Sequence, residues 1–519
     1  MAICGLFSRI YPKSAEKRLH GNDKAIRPSR IAFLRAAAIN FILLQVLFLG
    51  LFVYIFGSLF QQDVHTHNMG ILWVDYDGGL VGTAVRDAYK SLQGTTFPTL
   101  EESTPVQYPS PGEMREVVCQ AKYWAALYTS PGASLRLDEA LTGGSAASSY
   151  NRSDVLTFIW NEARYSPIAD SSISANLQKL SSTARTAYLT HKDISGLQAL
   201  SSADPTAISI FADPWTLSDI NIQPTTQGSR LIYNTLVIIL LLIQEFFYLG
   251  TINGLYVQFK IYASLWPHRI IAYRNMISLA YTFVGSLSTT GAIWAFRVGW
   301  DVNSNQFVLT WFILWLFAHA NFLWLDVMTI WLPVQYVPMS MICWVMFNVT
   351  SILVPFELSP GFYRWAYVMP AHEVYQVLTD IWSGGCNPQL RYALPILFSL
   401  ELIGLVLSGL GVYRRCHYAL LAEENQEIAF HRRLDAAMDF ERRRDAERQE
   451  AAEAVVAGPV EPSEKDKRDD MRGREENLGE VELGDQIRRE EDEILSDQRR
   501  ASRACNFGPS FDLAFERGS

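Results

Sequence analysis

Cysteine is scarce in this chain of 519 residues: there are six, scattered, and none falls at the spacing of a zinc site. A disulfide-dense module and a zinc finger are both excluded. The phosphate loop Gly-x-x-x-x-Gly-Lys-Ser/Thr is absent, which excludes an ATPase of that kind; Gly143-Gly144-Ser145 has the glycines of a flexible loop without the lysine. His-Glu-x-x-His and Gly-x-Ser-x-Gly are absent as well, and no paired carboxylates or nucleophile motif stand out. The expectation is therefore a protein that is not an enzyme and has no metal or cofactor. No nucleic-acid module occurs. A cleavable signal peptide is also missing: the first apolar run, of about 24 residues, is too long for a signal core, and no small-residue cleavage pattern follows it.

Charge is missing too, but only in places. Long stretches carry almost none, whereas the last hundred residues are dense in Glu, Asp, Arg and Lys. A soluble protein mixes these types at helix or strand period; separation into blocks marks a membrane protein. The 14 Trp and 23 Tyr gather near the ends of the apolar stretches, where half-polar rings suit the interface.

A helix needs roughly 20 apolar residues to cross the hydrocarbon core and satisfies its backbone internally. Six runs qualify: Ala36–Phe60, Leu231–Tyr256, Met276–Phe296, Phe307–Leu332, Met339–Phe356 and Leu394–Tyr413. Arg9, Lys13, Lys17, Arg18, Lys24, Arg27, Arg30 and Arg35 precede the first. Lys260, Arg269 and Arg274 fall between the second and third, and Arg414-Arg415 follow the sixth. Positive residues collect on the cytoplasmic side, so all three clusters, and both termini, are expected there.

The expected fold is an α-helical polytopic membrane protein of about six transmembrane helices, with a mixed α/β non-cytoplasmic domain between helices 1 and 2. The chain divides into a basic N-terminus (1–35), helix 1 (36–60) and the α/β domain (61–230). Helices 2–6 (231–413) follow, with an outer interfacial segment at 357–392. A charged cytoplasmic helix (414–457) and a disordered tail (458–519) complete it. Basic residues beside the membrane, such as Arg414 and Arg415, are expected to meet anionic lipid headgroups.

In the α/β domain, Ile71–Val74 reads as a strand, Asp75–Gly79 as a turn and Val81–Leu92 as a helix. Asp75 and Asp77 fit a turn and helix cap better than a cation site. Asp154–Leu200 reads as mostly helical. Asn151-Arg152-Ser153 is a glycosylation acceptor triplet on the expected outer side; Asn348-Val349-Thr350 fits the same pattern but lies inside a span. Cys119 and Cys386 are the two cysteines assigned to the oxidising side, where a bridge would pin the α/β domain to the last outer segment. That segment carries Pro355, Pro360 and Pro370 among Phe362, Tyr363, Trp365 and Tyr367, the pattern of a short helix at the interface.

Gln244 and Glu245 fall within the second span, His319, Asn321 and Asp326 within the fourth, and Glu401 within the sixth. An ionisable group in hydrocarbon costs several kcal/mol unless it is paired, neutralised or facing a cavity. Two readings stand side by side. One is a polar or proton-linked site for a transported molecule, with Glu245, Gln244, His319 and Glu401 as candidates. The other is hydrogen bonding that holds the helices together, with Asp326 hydrated near the cytoplasmic end.

The layout of one helix, an outer domain opening on Ile71-Leu-Trp-Val-Asp-Tyr-Asp77, then five more helices resembles the membrane subunit of type-2 ABC exporters and the phage-infection-protein family. Over roughly Arg30–Tyr418 the chain is similar, more narrowly, to the fungal nitrosoguanidine-resistance membrane protein family. Gly70–Gly79, Phe211-Ala-Asp-Pro-Trp215, Gln244-Glu-Phe-Phe247 and Met369-Pro-Ala-His372 carry that likeness, while the outer segment Leu358–Gly385 carries the broader one. The resemblance implies resistance to toxic compounds through movement of a drug or lipid, in the plasma membrane or an endomembrane. The expected partners are membrane lipids, a drug or lipid substrate, and a homodimer or a separate ATPase. The competing expectation is a non-transporting adaptor that sets lipid asymmetry or places partner proteins.

Overall fold

The computed structural model describes residues 27–201, 204–225, 237–297, 302–333 and 336–456. The basic cluster ahead of Arg27, residues 231–236 of the second expected span and the tail Gly458–Ser519 lie outside them. Helix α1 (Arg27–Ser58) forms a unit of its own.

The rest opens on a five-stranded sheet. Strand β1 (Gly70–Asp75) leads through α2 (Leu80–Leu92) to β2 (Thr99–Ser103), and α3 (Pro111–Cys119) leads to β3 (Ala125–Thr129). After α4 (Ala133–Leu141) comes β4 (Leu156–Trp160). Helices α5 (Ala175–Ala199) and α6 (Pro205–Ala212) then precede β5 (Leu217–Asn221). The order is β2-β1-β3-β4-β5, parallel throughout except where β4 runs antiparallel to β3. Successive side chains of β1 point to opposite faces. Ile71 and Trp73 join the core built with Val81, Val85 and Leu180, while Leu72 and Val74 pack with Met114, Val117 and Ile159. Burial on both faces is why β1 reads as an unbroken apolar run. Each large side chain withdrawn from water contributes about 1.5–3 kcal/mol.

The segment Asp154–Leu200 is mostly helical, as expected, but not throughout. Its first part is β4, buried along its whole length between β3 and β5, and helical backbone begins only at Ser166. Leu156-Thr-Phe-Ile-Trp160 is β-favouring, but a fully buried five-residue run has no alternation by which to recognise it.

The helices that follow include α7 (Val237–Gln258), α8 (Pro267–Ala295), α9 (Ser304–Trp331), α10 (Val337–Leu353), α11 (Pro370–Trp382) and α12 (Leu390–Val456). Among the described residues, five helices are long and apolar enough to cross a membrane, α1, α7, α8, α9 and α12, and α10, with 17 residues, falls short of that length. The protein is a multi-pass membrane protein with a mixed α/β domain.

Two boundaries move. Helix α8 starts at Pro267 rather than Met276, because Arg274 is buried inside the structure, not left in a loop. Helix α12 runs past Tyr413 without a break, so the sixth apolar run and the charged helix after it are one element. Arg414 and Arg415 do not end it: Arg414 donates to the Ile330 carbonyl at 2.8 Å, and Arg415 is buried. Between α10 and α12, the 3-10 helix Gly361–Val368 and α11 replace the single short helix expected there. Asn348 does not belong to a usable acceptor triplet: it is fully buried, and its side-chain oxygen accepts the Ala371 N–H at the start of α11.

Candidate functional site: an intramembrane cavity with a histidine–glutamate pair

His319 sits in the middle of α9, where an imidazole surrounded by apolar side chains needs polar partners on both nitrogens. It has them on two other helices. Nδ1 lies 2.5 Å from Oε1 of Glu401 on α12, and Nε2 lies 3.0 Å from the hydroxyl of Ser278 on α8. Two of the four candidate residues are thus brought together, joining three helices through one ring.

The pair borders a cavity of about 820 Å³, within the range of about 300–1,000 Å³ typical of small-molecule sites. Leu309, Phe312 and Trp315 of α9 and Leu394 and Phe398 of α12 form apolar walls; Val377, Asp380 and Ile381 of α11 form another side. The N-terminus of α9 closes one end. The Asn303 side chain accepts the Gln306 N–H, and the Gln306 side chain accepts the Asn303 N–H in return and donates to the Ile381 carbonyl at 2.8 Å. One glutamine therefore fixes the start of α9 to the end of α11.

Helix α11 is in turn held by the sheet domain. Cys119, the last residue of α3, is joined to Cys386 by a disulfide with S–S 2.10 Å. Asn161 donates to the Cys386 carbonyl at 3.1 Å, and the Tyr165 N–H donates to the Tyr375 hydroxyl at 2.9 Å. Burial pushes the Tyr375 hydroxyl up to about 12. Arg164 stacks on Trp124 at 3.8 Å, with Glu357 3.9 Å away. Gly384 and Gly385, both with left-handed backbone that glycine alone adopts freely, line the cavity immediately before Cys386. The sheet domain is thereby bonded to one wall of the cavity.

Glu245 and Gln244 are placed elsewhere. Glu245 of α7 is fully buried, and neither carboxyl oxygen has a hydrogen-bond partner among the described residues. Tyr248, one turn on, also lacks a partner for its hydroxyl among the described residues; its ring stacks on Tyr281 at 3.6 Å and meets Phe322 at 5.3 Å. The Gln244 amide fills the space beside Gly285 on α8, where an added Cβ would come within 2.5 Å of it.

Asp326 is not hydrated near a membrane face; it is fully buried. Arg274 of α8 pairs with it at 2.6 Å and Arg415 of α12 at 3.0 Å. Ser408 donates to its other oxygen at 2.6 Å, and Tyr262 accepts from both guanidiniums at 3.2 Å. Sequence reading assigned Arg274 and Arg415 to the membrane surface as charge markers and missed this centre. The available signal was Asp326 itself, since a carboxylate deep in an apolar run requires a cation.

In the sheet domain, Asp75 accepts from Thr129, from Arg86 and from the Asp77 and Gly78 N–H groups, and Asp77 accepts from Ser134. These donors account for the two carboxylates as a turn. Asn151 is exposed, with its side-chain oxygen accepting the Ser153 N–H at 3.0 Å.

A family model described as a protein of unknown function, DUF3533, matches residues 40–406, well over half of the chain. The chain belongs to the DUF3533 family. The matched region of this DUF3533 protein contains the sheet domain, the cavity, His319 and Glu401; it stops short of Arg415 and of the charged half of α12.

Proposed function

We propose that this protein binds an amphipathic small molecule, a drug or a lipid, in the cavity beside His319 and Glu401 and carries it across the membrane, which is the basis of resistance to toxic compounds. The observation that carries this reading is the cavity itself: about 820 Å³, apolar on its walls, with an ionisable pair along it. The layout, similar to exporter permeases, supports the same reading. No phosphate loop occurs in the sequence, so the driving force comes from an ion gradient or from a separate ATPase. The termini face the cytoplasm in this scheme, and the sheet domain lies on the opposite side with its disulfide and Asn151.

The test is reconstitution of the full chain in vesicles, with flux of a labelled phospholipid and of a cationic drug followed with and without a proton gradient. Flux above that of protein-free vesicles, reduced by His319→Ala, is expected. Flux indistinguishable from protein-free vesicles under every condition would sink the proposal.

The second reading, a membrane adaptor, draws on α12, which continues as one helix from the apolar bundle into a stretch dense in both charge signs. On that reading, deletion of Gly458–Ser519 abolishes partner binding while flux assays stay silent.

A further inference from the structure

The cavity lining is asymmetric in charge. Among the described residues that line it, Asp380 and Glu401 carry carboxylates and none is a lysine or arginine. The chain as a whole has 44 basic residues, so the wall is not cation-free for want of them. The two buried arginines of the bundle, Arg274 and Arg415, are both committed to Asp326.

Glu401 offers a second, independent observation. His319 engages one carboxyl oxygen, Oε1; the other, Oε2, has no hydrogen-bond partner among the described residues. A desolvated carboxylate oxygen without a donor is costly, and a donor arriving with a ligand relieves that cost. Asp380 accepts one bond, from the Asn387 N–H at 3.0 Å, and stands on the last turn of α11, the negative end of that helix. The start of α9 presents a positive helix end to the same mouth, but Asn303 already caps it. Phe312, Trp315 and Phe398 complete the lining with aromatic rings, whose faces attract cations at about 0.5–2 kcal/mol each.

We infer that the ligand of this cavity is a lipophilic cation, an apolar body bearing an amine or other positive centre, and that anionic amphiphiles are discriminated against. The inference rests on the cavity being a ligand site, as proposed above, and adds the sign of the ligand charge. A lining with no lysine or arginine among the described residues leaves a phosphate or sulfate group without a cationic partner, whereas the carboxylates of Asp380 and Glu401 suit a positive centre.

Tetraphenylphosphonium and tetraphenylborate test it, because the two ions share size and shape and differ in charge sign. Binding of each to the full chain in nanodiscs would be measured by equilibrium dialysis, with lipid-only nanodiscs subtracted. The phosphonium is expected to bind at least tenfold more tightly, and Glu401→Gln and Asp380→Asn are each expected to weaken it several-fold without weakening the borate. Equal affinities, or tighter borate binding, would overturn the charge preference and leave the cavity standing as a site. Absence of binding by both ions would count against the cavity reading itself. The wild-type comparison needs no variant, so poor folding of either mutant does not rescue the idea.

Discussion

His319 and Glu401, 82 residues apart in the chain, meet at 2.5 Å beside the apolar cavity, and the same imidazole reaches Ser278 on a third helix. A charge-assisted bond of this kind, largely out of water, is worth about 1.5–3 kcal/mol. His319→Ala and Glu401→Ala should each lower the melting temperature, and the double variant should fall no further than the worse single one. A double-mutant cycle by thermal unfolding in detergent measures the coupling; additive effects would mean that the two side chains act separately.

Asp326 is expected to be the most sensitive intramembrane residue. Asp326→Ala leaves two guanidiniums buried without a counter-charge, and breaking a buried pair in this way costs about 3–5 kcal/mol. Arg274→Gln leaves Asp326 paired with Arg415 and should be milder. Thermal unfolding and abundance in membranes would rank the two; the reverse order contradicts the network.

Glu245 makes the opposite prediction for stability. Its carboxyl oxygens have no hydrogen-bond partners among the described residues in a fully buried setting, so Glu245→Leu removes a desolvated polar group and should raise the melting temperature. If the residue is retained for function, Glu245→Ala lowers efflux while abundance stays normal. Unchanged efflux with a stabilised protein would assign Glu245 no role in transport.

Asp380 gives a pH dependence. Burial raises its carboxyl above the ordinary value, with the Asn387 N–H opposing. A carboxyl raised on folding keeps its proton to higher pH than in the unfolded chain, whose value is about 3.9, so native stability falls as pH rises through that interval. Asp380→Asn should therefore raise the melting temperature at pH 7, and the gain should vanish below about pH 4. Phosphonium binding by the wild type should weaken on acidification, beginning at higher pH than an ordinary carboxylate would cause. A pH-independent gain from Asp380→Asn would show that its charge is not the cause.

The apolar blocks were legible because the bilayer imposes one length and one polarity on any helix that crosses it, and neither depends on neighbours. Strand β1 and helix α2 were legible for a similar local reason: an apolar run, a Gly-Gly turn, then helical spacing. Strand β4 was not, because burial on both faces erased its alternation. The sequence by itself also named His319, Glu401, Glu245 and the two cysteines, since ionisable or oxidisable groups stand out against an apolar background. Only the tertiary structure decided which of them meet. It put His319 with Glu401, left Glu245 alone, and joined Cys119 to Cys386 across 267 residues. It also turned Arg274 and Arg415 from surface markers into the partners of Asp326. Helix packing sets those distances, and a long-range pairing has no local signature: a cation at the end of an apolar run looks the same whether it faces water or a buried carboxylate.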